Sequence, residues 1–460
     1  MNEPRTLLSH PELRSHQSFP HFRTVGETPK TALERILSFF ADVRAGEGPA
    51  VVLLAATIFL LLAGYYLLKT AREALILTEG GAEVKAYSSA AQAVLLLAVV
   101  PAYSWLASRV PRVPLMGITM AFFAVNLLGF AALRATGAAI GIVFYVWLGI
   151  YNVFVISQFW AFANDLYTEG QGRRLFPFIG VGSSLGAWLG AEAAAALVKW
   201  TTSDPGTLMI AAATLLGVCF AMIVMVNRRE VLRTDDVGKR QNDEPIKGRS
   251  GFALVFSDRY LLLIAGLMVL LNVVNTSGEF LLSKLVVGEA MAQFAGDGHM
   301  AERQRFIGGF YGTFFGRVNL LGLLLQLFVT SRLLRHMGVR GALFILPVLA
   351  LVNYSVIAVA PLLAVVSVLK VLENSTDYSV QNTVRQALFL PTSREAKYKA
   401  KAAIDTFFMR LGDVTQALIV RIGTSLGAGI GAFAWLNVGL TVAWLVVAGQ
   451  IAREHRRRTV

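Results

Sequence analysis

The sequence predicts an all-α polytopic membrane protein with about twelve transmembrane helices arranged in two six-helix halves. Three observations support this fold class. Of the 460 residues, 55% are hydrophobic and only 15% are charged, a composition far from that of soluble domains. Apolar runs long enough to cross a bilayer core of roughly 30 Å as helices fill most of the chain. Basic residues recur in alternate loops between these runs.

Cysteine and histidine usage excludes several classes of site. The single cysteine, Cys219, lies inside an apolar run, so no intramolecular disulfide and no cysteine-ligated metal are expected. The six histidines are scattered through tails and loops without ligand spacing, which predicts no metal site. No nucleophile, base and orienting residue form a set, and no carboxylate pair suggests catalysis. We therefore expect neither an enzyme nor a bound cofactor.

Residues 1–48 form a polar tail ahead of the first apolar run. They lack the basic start, short apolar core and cleavage site of a signal peptide, so we expect the N-terminus to stay in the cytoplasm. Apolar side chains between Thr31 and Arg44 follow helical spacing. They predict either an amphipathic helix against the membrane surface or a short disordered tail.

Twelve apolar segments follow, each long enough to span a bilayer as a helix and too long for a barrel strand. They lie near residues 50–77, 87–108, 113–134, 137–164, 174–198, 205–227, 259–288, 304–330, 340–359, 361–387, 400–424 and 428–452.

Lysine and arginine accumulate in the even-numbered loops and in the C-terminal tail. The residues with this bias are Arg109, Arg112, Arg173, Arg174, Arg332, Arg335, Arg340, Arg394, Lys397, Lys399, Lys401 and Arg456 to Arg458. Because such residues favour the cytoplasmic side, we expect both termini there, in a bacterial inner (cell) membrane. The same bias, suited to anionic lipid, explains much of the net charge of +13 without a nucleic-acid partner.

A charged loop divides the chain into two halves. Residues 228–250 hold seven basic and five acidic side chains and predict a cytoplasmic linker between bundles at 49–227 and 251–452. Residues 453–460 form a basic tail. The passage from the fourth segment to the fifth also resembles that from the tenth to the eleventh. Such a repeat is the outline of a major-facilitator-type transporter, whose substrate site lies at midplane between the halves.

Charged side chains within the predicted spans are the main functional candidates, because charge in hydrocarbon is costly and usually faces the bundle interior. Lys69 and Arg72 share a face of the first helix, as a grip on phosphate or carboxylate requires. The alternative for both is snorkelling at the membrane edge. Glu279 in the seventh helix would accept a coupling proton, pair with a cation or cap a broken helix.

The tenth segment is the most polar. Lys370, Glu373, Asp377 and Gln381 share one stripe, flanked by Arg385. The stripe indicates either a water-filled cavity or a structural network that joins helices.

Three further side chains are candidates for substrate contact. Lys401, at the start of the eleventh segment, suits an anion but would equally serve as a loop charge at the inner surface. In the fourth segment Trp160 and Asn164 would stack on a base and hydrogen-bond its edge, although such aromatic residues are more often packing anchors.

Glycines 182, 186 and 190 predict a close helix-packing face, since no strand or lysine-bearing motif accompanies them.

Three segments resemble the ATP/ADP translocase family, the nucleotide exchangers of plastids and intracellular bacteria. The most specific is residues 399–405, KAKAAID, which is similar to the family's K-x-K-A-A-I-D stretch. Residues 159–164, FWAFAN, resemble its F-W-x-F-A-N helix end. Residues 70–78, TAREALILT, are weaker, and here the family normally has a lysine at the position of Arg72.

The resemblance implies a divergent bacterial member of this family. It implies that Lys401 contacts phosphate and that Glu279 matches the functional glutamate of the seventh helix. Arg72 keeps the charge of the family's lysine but presents a planar fork. The acidic residue that the family carries early in the fourth helix has no match in residues 147–150.

We therefore predict a secondary active transporter that exchanges ATP and ADP, or a related phosphorylated anion, by alternating access. It would act as a monomer in the lipid bilayer on a small-molecule anionic substrate. Two alternatives stay open: a proton-coupled transporter of a different solute, with Glu279 or Asp377 as the proton carrier, and a non-transporting membrane sensor or partner. The substrate-binding residues would be Lys69, Arg72, Trp160, Asn164, Glu279, Asp377, Arg385 and Lys401.

Overall fold

The computed structural model describes residues 30–38, 43–107, 109–167, 169–200, 204–231, 250–393 and 395–459. Regular structure within these ranges is helical, and they contain no strand, which confirms the predicted all-α class. Residues 1–29 and 39–42 of the N-terminal tail and residues 232–249 of the predicted central loop lie outside the described residues. The division into the five predicted regions stays a prediction.

A short helix and six long helices make up the N-terminal half. They are α1 (Ala32–Leu37), α2 (Gly48–Glu79), α3 (Gly81–Ala107), α4 (Arg112–Ala135), α5 (Gly141–Leu166), α6 (Glu169–Trp200) and α7 (Pro205–Val231).

The C-terminal half again has six helical rods, several of them assembled from shorter helices. Its helices are α8 (Gly251–Ser257), α9 (Arg259–Gln293), α10 (Met300–Leu324), α11 (Ser331–Ala342), α12 (Ile345–Val359), α13 (Leu363–Thr376), α14 (Asn382–Leu388), α15 (Lys401–Ala403), α16 (Met409–Ser425) and α17 (Ile430–Thr459). Four π-helical segments join them within the rods: Leu325–Thr330, Asp377–Gln381, Ala396–Ala400 and Ile404–Phe408.

Within the described ranges, nine helical segments are long and apolar enough to cross a membrane. A tenth, α12, is apolar but only 15 residues long. The rods at 363–388 and 396–425 complete the twelve, and they contain three of the π-helical segments. The twelve rods correspond to the twelve predicted segments, so the chain is a multi-pass membrane protein. The helix α17 continues to Thr459, which makes the predicted basic tail part of the last helix.

Each half has its own apolar core. One hydrophobic cluster is built only from residues between Leu37 and Val226, and the other is centred in the C-terminal half. Within the first, α6 packs closely on α2 through Gly182, Gly186 and Gly190, where a Cβ atom would collide with the facing backbone. The facing residues are Ala55, Phe59 and Ala63. The predicted glycine packing face is thus confirmed.

Helix α2 begins and α17 ends on one face of the bundle, which we call the terminal face; the opposite side is the distal face. On the terminal face α1 is fixed by a capping box between Thr31 and Glu34. Glu34 also accepts backbone hydrogen bonds from Gly46 and Gly48. A helix is therefore present over Ala32–Leu37, with Leu37 buried, and its position against the membrane surface stays a prediction.

Candidate substrate-binding cavity

A polar cavity of about 160 Å³ lies between the two halves, in the distal half of the helices that line it. Helices α2, α3 and α5 line it from the N-terminal half, and α9, α10, α13 and α16 from the C-terminal half. Five charged side chains face the space: Lys69, Arg72, Glu73, Lys85 and Glu279. With three basic and two acidic groups, the lining keeps one net positive charge, which favours an anion.

Glu73 joins two of the cations. Its Oε1 accepts hydrogen bonds from Arg72 at 2.5 Å and 3.2 Å, and its Oε2 lies 2.7 Å from the ammonium of Lys85. The Arg72 guanidinium also lies 4.4 Å from the ring centre of Tyr145, and Lys85 donates to Ser283 at 2.9 Å. Because Glu73 is only 1% exposed, these partners are needed to stabilise its charge.

Lys69 has a different environment. Among the described residues it has no carboxylate within ion-pair distance, and its ammonium lies 4.0 Å from the ring centre of Phe315 and 5.1 Å from that of Tyr66. Aromatic faces stabilise a cation only in part. Lys69 therefore retains attraction for an anion that enters the cavity.

Glu279 supplies the carboxylate of the C-terminal half. Its Oε1 accepts a hydrogen bond from Asn374 at 2.8 Å and lies 3.9 Å from the ammonium of Lys370. Its side chain is 24% exposed, toward the cavity. This carboxylate can therefore meet a bound solute or a proton directly.

The polar stripe of the tenth segment is split between two environments. Lys370 is fully buried and donates to Glu373 and Asn275, each at 3.0 Å. Glu373 also accepts a hydrogen bond from Tyr354 at 2.8 Å, so this pair belongs to a network that joins α9, α12 and α13. Asn374, one residue further on, instead lines the cavity. The structural network therefore accounts for Lys370 and Glu373, and the cavity is lined by Asn374 beside the stripe rather than by the four stripe residues.

Trp160 and Asn164 lie well toward the terminal face. They follow the cavity residue Tyr145 on the same helix by 15 and 19 residues, or about 22 and 28 Å at 1.5 Å per residue. Trp160 packs edge-on against Phe176 with ring centres 5.8 Å apart, while Asn164 is exposed. Neither contributes to the cavity lining.

Arg385, Lys401 and Asp377 also lie outside the lining. Arg385 donates to the Asn382 side chain at 3.0 Å and follows Asn374 by about 16 Å along the rod. Lys401 pairs with Asp405 at 2.8 Å, about 22 Å before the cavity residue Gln416 if the rod is helical throughout. Asp377 is adjacent to Tyr378, which does line the cavity. The structure thus brings together Lys69, Arg72 and Glu279.

Polar contacts between the halves run from the cavity to the distal face. At the middle of the bundle Tyr66 donates to Asn319 at 2.9 Å. Nearer the distal ends, Lys284 pairs with Glu83 at 2.6 Å. At the distal end itself Arg134 donates to Gln304 at 2.9 Å. These contacts close the distal side, and separating them is a requirement for opening it.

Sequence comparison supports a family assignment. A family model described as TLC ATP/ADP transporter matches residues 140–353 and 325–455, more than half of the chain. ADP,ATP carrier protein 1 of Chlamydia trachomatis serovar D is 23% identical over 68% of this chain, and the match spans 66% of that carrier's length, just under two thirds. ADP,ATP carrier protein 2 of Chlamydia pneumoniae is 22% identical over 92% of each chain.

Solved structures share the fold at low identity. The nucleoside transporter NupG superposes with a TM-score of 0.59 at 12% identity, covering 87% of this chain and 98% of NupG. A POT family transporter in complex with 5-aminolevulinic acid gives 0.61 at 14% identity, covering 88% and 96%. These transporters have the major-facilitator-like fold that the two-half repeat predicts. The chain therefore belongs to the TLC ATP/ADP transporter family and has a major-facilitator-like fold.

Proposed function

We propose that the protein exchanges adenine nucleotides, or a related phosphorylated anion, across the membrane by alternating access. The observation that carries this proposal is Lys69, a cation without a carboxylate partner among the described residues, which faces a net positive cavity between the two halves. The family match and the similarity to Chlamydia ADP,ATP carrier proteins support a nucleotide as the substrate.

The phosphate end of the substrate binds between Lys69 and Arg72. Arg72 offers a planar fork that Glu73 and Tyr145 hold in place, and Lys69 adds a compact charge on the same helix face. The cavity of about 160 Å³ is smaller than the 300–1,000 Å³ that whole ligands usually occupy. The rest of the nucleotide therefore extends toward the terminal face.

Five predicted residues lie in that direction and complete the proposed path. Trp160 and Asn164 on α5 would meet the base, while Arg385 and Lys401 would meet phosphate as the substrate enters, and Asp377 would tune the charge near Tyr378. In the same orientation, the basic residues of the terminal face support a cytoplasmic location of both termini, in a bacterial inner membrane. We propose a monomer, since one chain supplies both halves of the cavity.

The charge of the empty cavity favours exchange over one-way transport. Moving an uncompensated ammonium through the low-dielectric part of the bundle is costly, and a bound anion removes most of that cost. The empty protein therefore reorients slowly and the loaded protein quickly, so each outward step is followed by an inward step with counter-substrate.

A second candidate is proton-coupled transport of a different solute. It is favoured by Glu279, whose carboxylate is partly exposed to the cavity and has one hydrogen-bond donor, Asn374. In that mechanism protonation of Glu279 would take the place of counter-substrate, and a proton gradient would drive accumulation.

Uptake into liposomes separates the two candidates. Purified full-length protein is reconstituted into vesicles that contain unlabelled ADP or buffer alone, and uptake of labelled ATP is measured with and without a protonophore. Uptake that needs internal ADP and resists the protonophore supports exchange. Uptake of ATP that the protonophore abolishes, with no effect of internal ADP, supports proton coupling with the nucleotide itself as the solute. Absence of uptake in all arms contradicts the nucleotide as substrate.

Variants locate the site in the same assay. Arg72→Gln and Lys69→Gln should each abolish most exchange, whereas Arg421→Gln, at an exposed position near the distal end of α16, should exchange like the wild-type protein. Wild-type exchange by both cavity variants would overturn the assignment of the site.

A further inference from the structure

A groove of about 750 Å³ runs along the outside of the bundle where the two halves meet. Helix α10 supplies most of its lining, between α6 of the N-terminal half and α13 of the C-terminal half. Phe306, Phe310 and Phe314 recur every four residues along it, and the rings of Phe310 and Phe314 are stacked with centres 6.1 Å apart. This lateral groove is separate from the central cavity and contains none of its lining residues.

A second, apolar groove of about 380 Å³ continues from it between α10 and α13. Arg317 lines both grooves, so they meet at this residue. Around the second groove Leu324, Val368 and Leu372 are 43%, 55% and 40% exposed. Exposed apolar side chains on a membrane-spanning helix face lipid, so the two grooves open to the bilayer.

The lateral groove is charged at a depth where hydrocarbon is expected. Arg317 is exposed and has no hydrogen-bond or ion-pair partner among the described residues. The depth of Arg317 follows from its neighbour Val318, whose backbone carbonyl accepts a hydrogen bond from Ser375 of α13 at 3.0 Å. Arg317 therefore lies level with the twelfth or thirteenth residue of α13, about 18 Å from the distal end of that helix. An unpaired guanidinium facing hydrocarbon at that depth is costly, so an anionic group is needed beside it.

Two further cations lie nearer the mouth of the groove. Lys199 and Arg305 are exposed there. Together with Arg317 the lining has three basic residues and two acidic ones, Glu192 and Glu302, so its net charge is +1. Side chains on a helix lean toward its N-terminus, which for α10 is the distal end. The guanidinium of Arg317 therefore leans toward the mouth, in the direction of Arg305.

Gly309 leaves room between the two arginines. A Cβ atom at this position would meet nothing within 4 Å, so the groove is open above it. Gly309 lies about 12 Å from Arg317 along α10, which sets it level with Ser367 near the start of α13. That depth is close to the distal headgroup layer.

We propose that the lateral groove binds one anionic phospholipid of the distal leaflet. The phosphate lies above Gly309 between Arg305 and Arg317, the net positive lining matches its charge, and one acyl chain follows the phenylalanines into the second groove. Because α6 and α10 belong to different halves, the lipid bridges the interface that must rearrange during transport.

Lipid retention by native mass spectrometry tests this site without any transport measurement. Full-length protein in detergent is titrated with phosphatidylglycerol and, separately, with phosphatidylcholine. We expect wild-type protein to retain one phosphatidylglycerol that Arg317→Gln binds at least about tenfold more weakly, since a charge-assisted contact is lost. Gly309→Trp should lose it as well by filling the groove, while the matched control Arg421→Gln should retain it. Phosphatidylcholine should not distinguish the four proteins.

Other outcomes overturn the proposal. Equal phosphatidylglycerol retention by the wild-type protein, Arg317→Gln and Gly309→Trp would exclude the groove as the site, provided that all unfold at similar temperatures. Displacement of the lipid by millimolar glycerol phosphate would indicate a site for a free anion. A lipid-free dimer of the wild-type protein that either groove variant dissociates would identify a second copy of the chain as the occupant.

Discussion

The ammonium of Lys85 on α3 lies 2.7 Å from Oε2 of Glu73 on α2, and the other oxygen of that carboxylate holds Arg72. One buried acidic residue therefore neutralises part of the charge of two cations and fixes both in the cavity. Lys69 has no described carboxylate at ion-pair distance. This difference separates residues that position the site from the residue that is free to bind an anion.

Glu73→Gln should destabilise the protein strongly. It leaves Arg72 and Lys85 without a counter-charge, and removal of one partner from a buried ion pair typically costs about 3–5 kcal/mol. We expect a clearly lower unfolding temperature in detergent, measured by intrinsic fluorescence. Glu289→Gln, at an exposed position where the side chain accepts only from Gln293, is the control and should unfold like the wild-type protein. Equal unfolding temperatures for both variants would show that Glu73 is not a structural counter-charge.

Lys69→Gln should have the opposite profile. Because no described carboxylate depends on Lys69, its neutralisation should leave the unfolding temperature unchanged or raised, while the KM for exchange rises at least about tenfold. Arg72→Lys should retain part of the activity, since it keeps the charge and loses the fork. Kinetics in loaded liposomes, with unfolding measured on the same preparations, test both points. A Lys69→Gln protein that is destabilised but exchanges with wild-type KM would contradict this role.

Most of the fold was predictable from the sequence because long apolar runs and alternating basic loops constrain a membrane chain strongly. The site was predictable only in part. Lys69, Arg72 and Glu279 were identified as intramembrane charges, and the structure places them in one cavity. Lys85 was missed because the second segment was expected to begin at residue 87, whereas α3 begins at Gly81. That difference of six residues moves a charge from a loop into the bundle.

Tyr145 shows a second limit of the sequence. It lies in an apolar run among other aromatic residues, and nothing in the pattern distinguishes the ring beneath Arg72 from rings that only pack.

The π-helical segments are a third limit. An insertion such as Asp377–Gln381 changes the register of the helix, so a stripe drawn at spacings of three and four does not continue onto one face beyond it. Tyr378, within this insertion, lines the cavity, whereas Gln381 at its end does not.

Acidification should weaken the anchor between α2 and α6 on the terminal face. Burial opposes ionisation of Glu47, but hydrogen bonds from Arg174, from the backbone of Arg44 and from Gln171 outweigh it and lower the pKa of Glu47. When folding lowers the pKa of a carboxyl group, its ionised form stabilises the folded protein at pH values above the ordinary pKa, here 4.5. This stabilisation is lost as the pH falls toward and through the lower pKa of the folded state. The unfolding temperature of the wild-type protein should therefore exceed that of Glu47→Gln at pH 7, and the difference should shrink below about pH 4.5. A difference that is constant from pH 7 to pH 3.5 would exclude this titration.

Opening of the distal side should become easier when Glu83 and Lys284 no longer attract each other. This ion pair joins α3 to α9 across the halves at 2.6 Å, and its side chains are 33% and 30% exposed. An exposed pair contributes up to about 1 kcal/mol, so Lys284→Gln should increase the population of the distal-open state by about two- to fivefold.

The readout is labelling of Ala86→Cys in the cavity by a membrane-impermeant thiol reagent added at the distal side, after Cys219→Ala has removed the native thiol. Arg421→Gln, also near the distal face and with no side-chain partner among the described residues, is the control and should label at the rate of the parent. Labelling that is equally slow in both proteins would mean that other contacts, such as Arg134 with Gln304, keep the distal side closed without this pair.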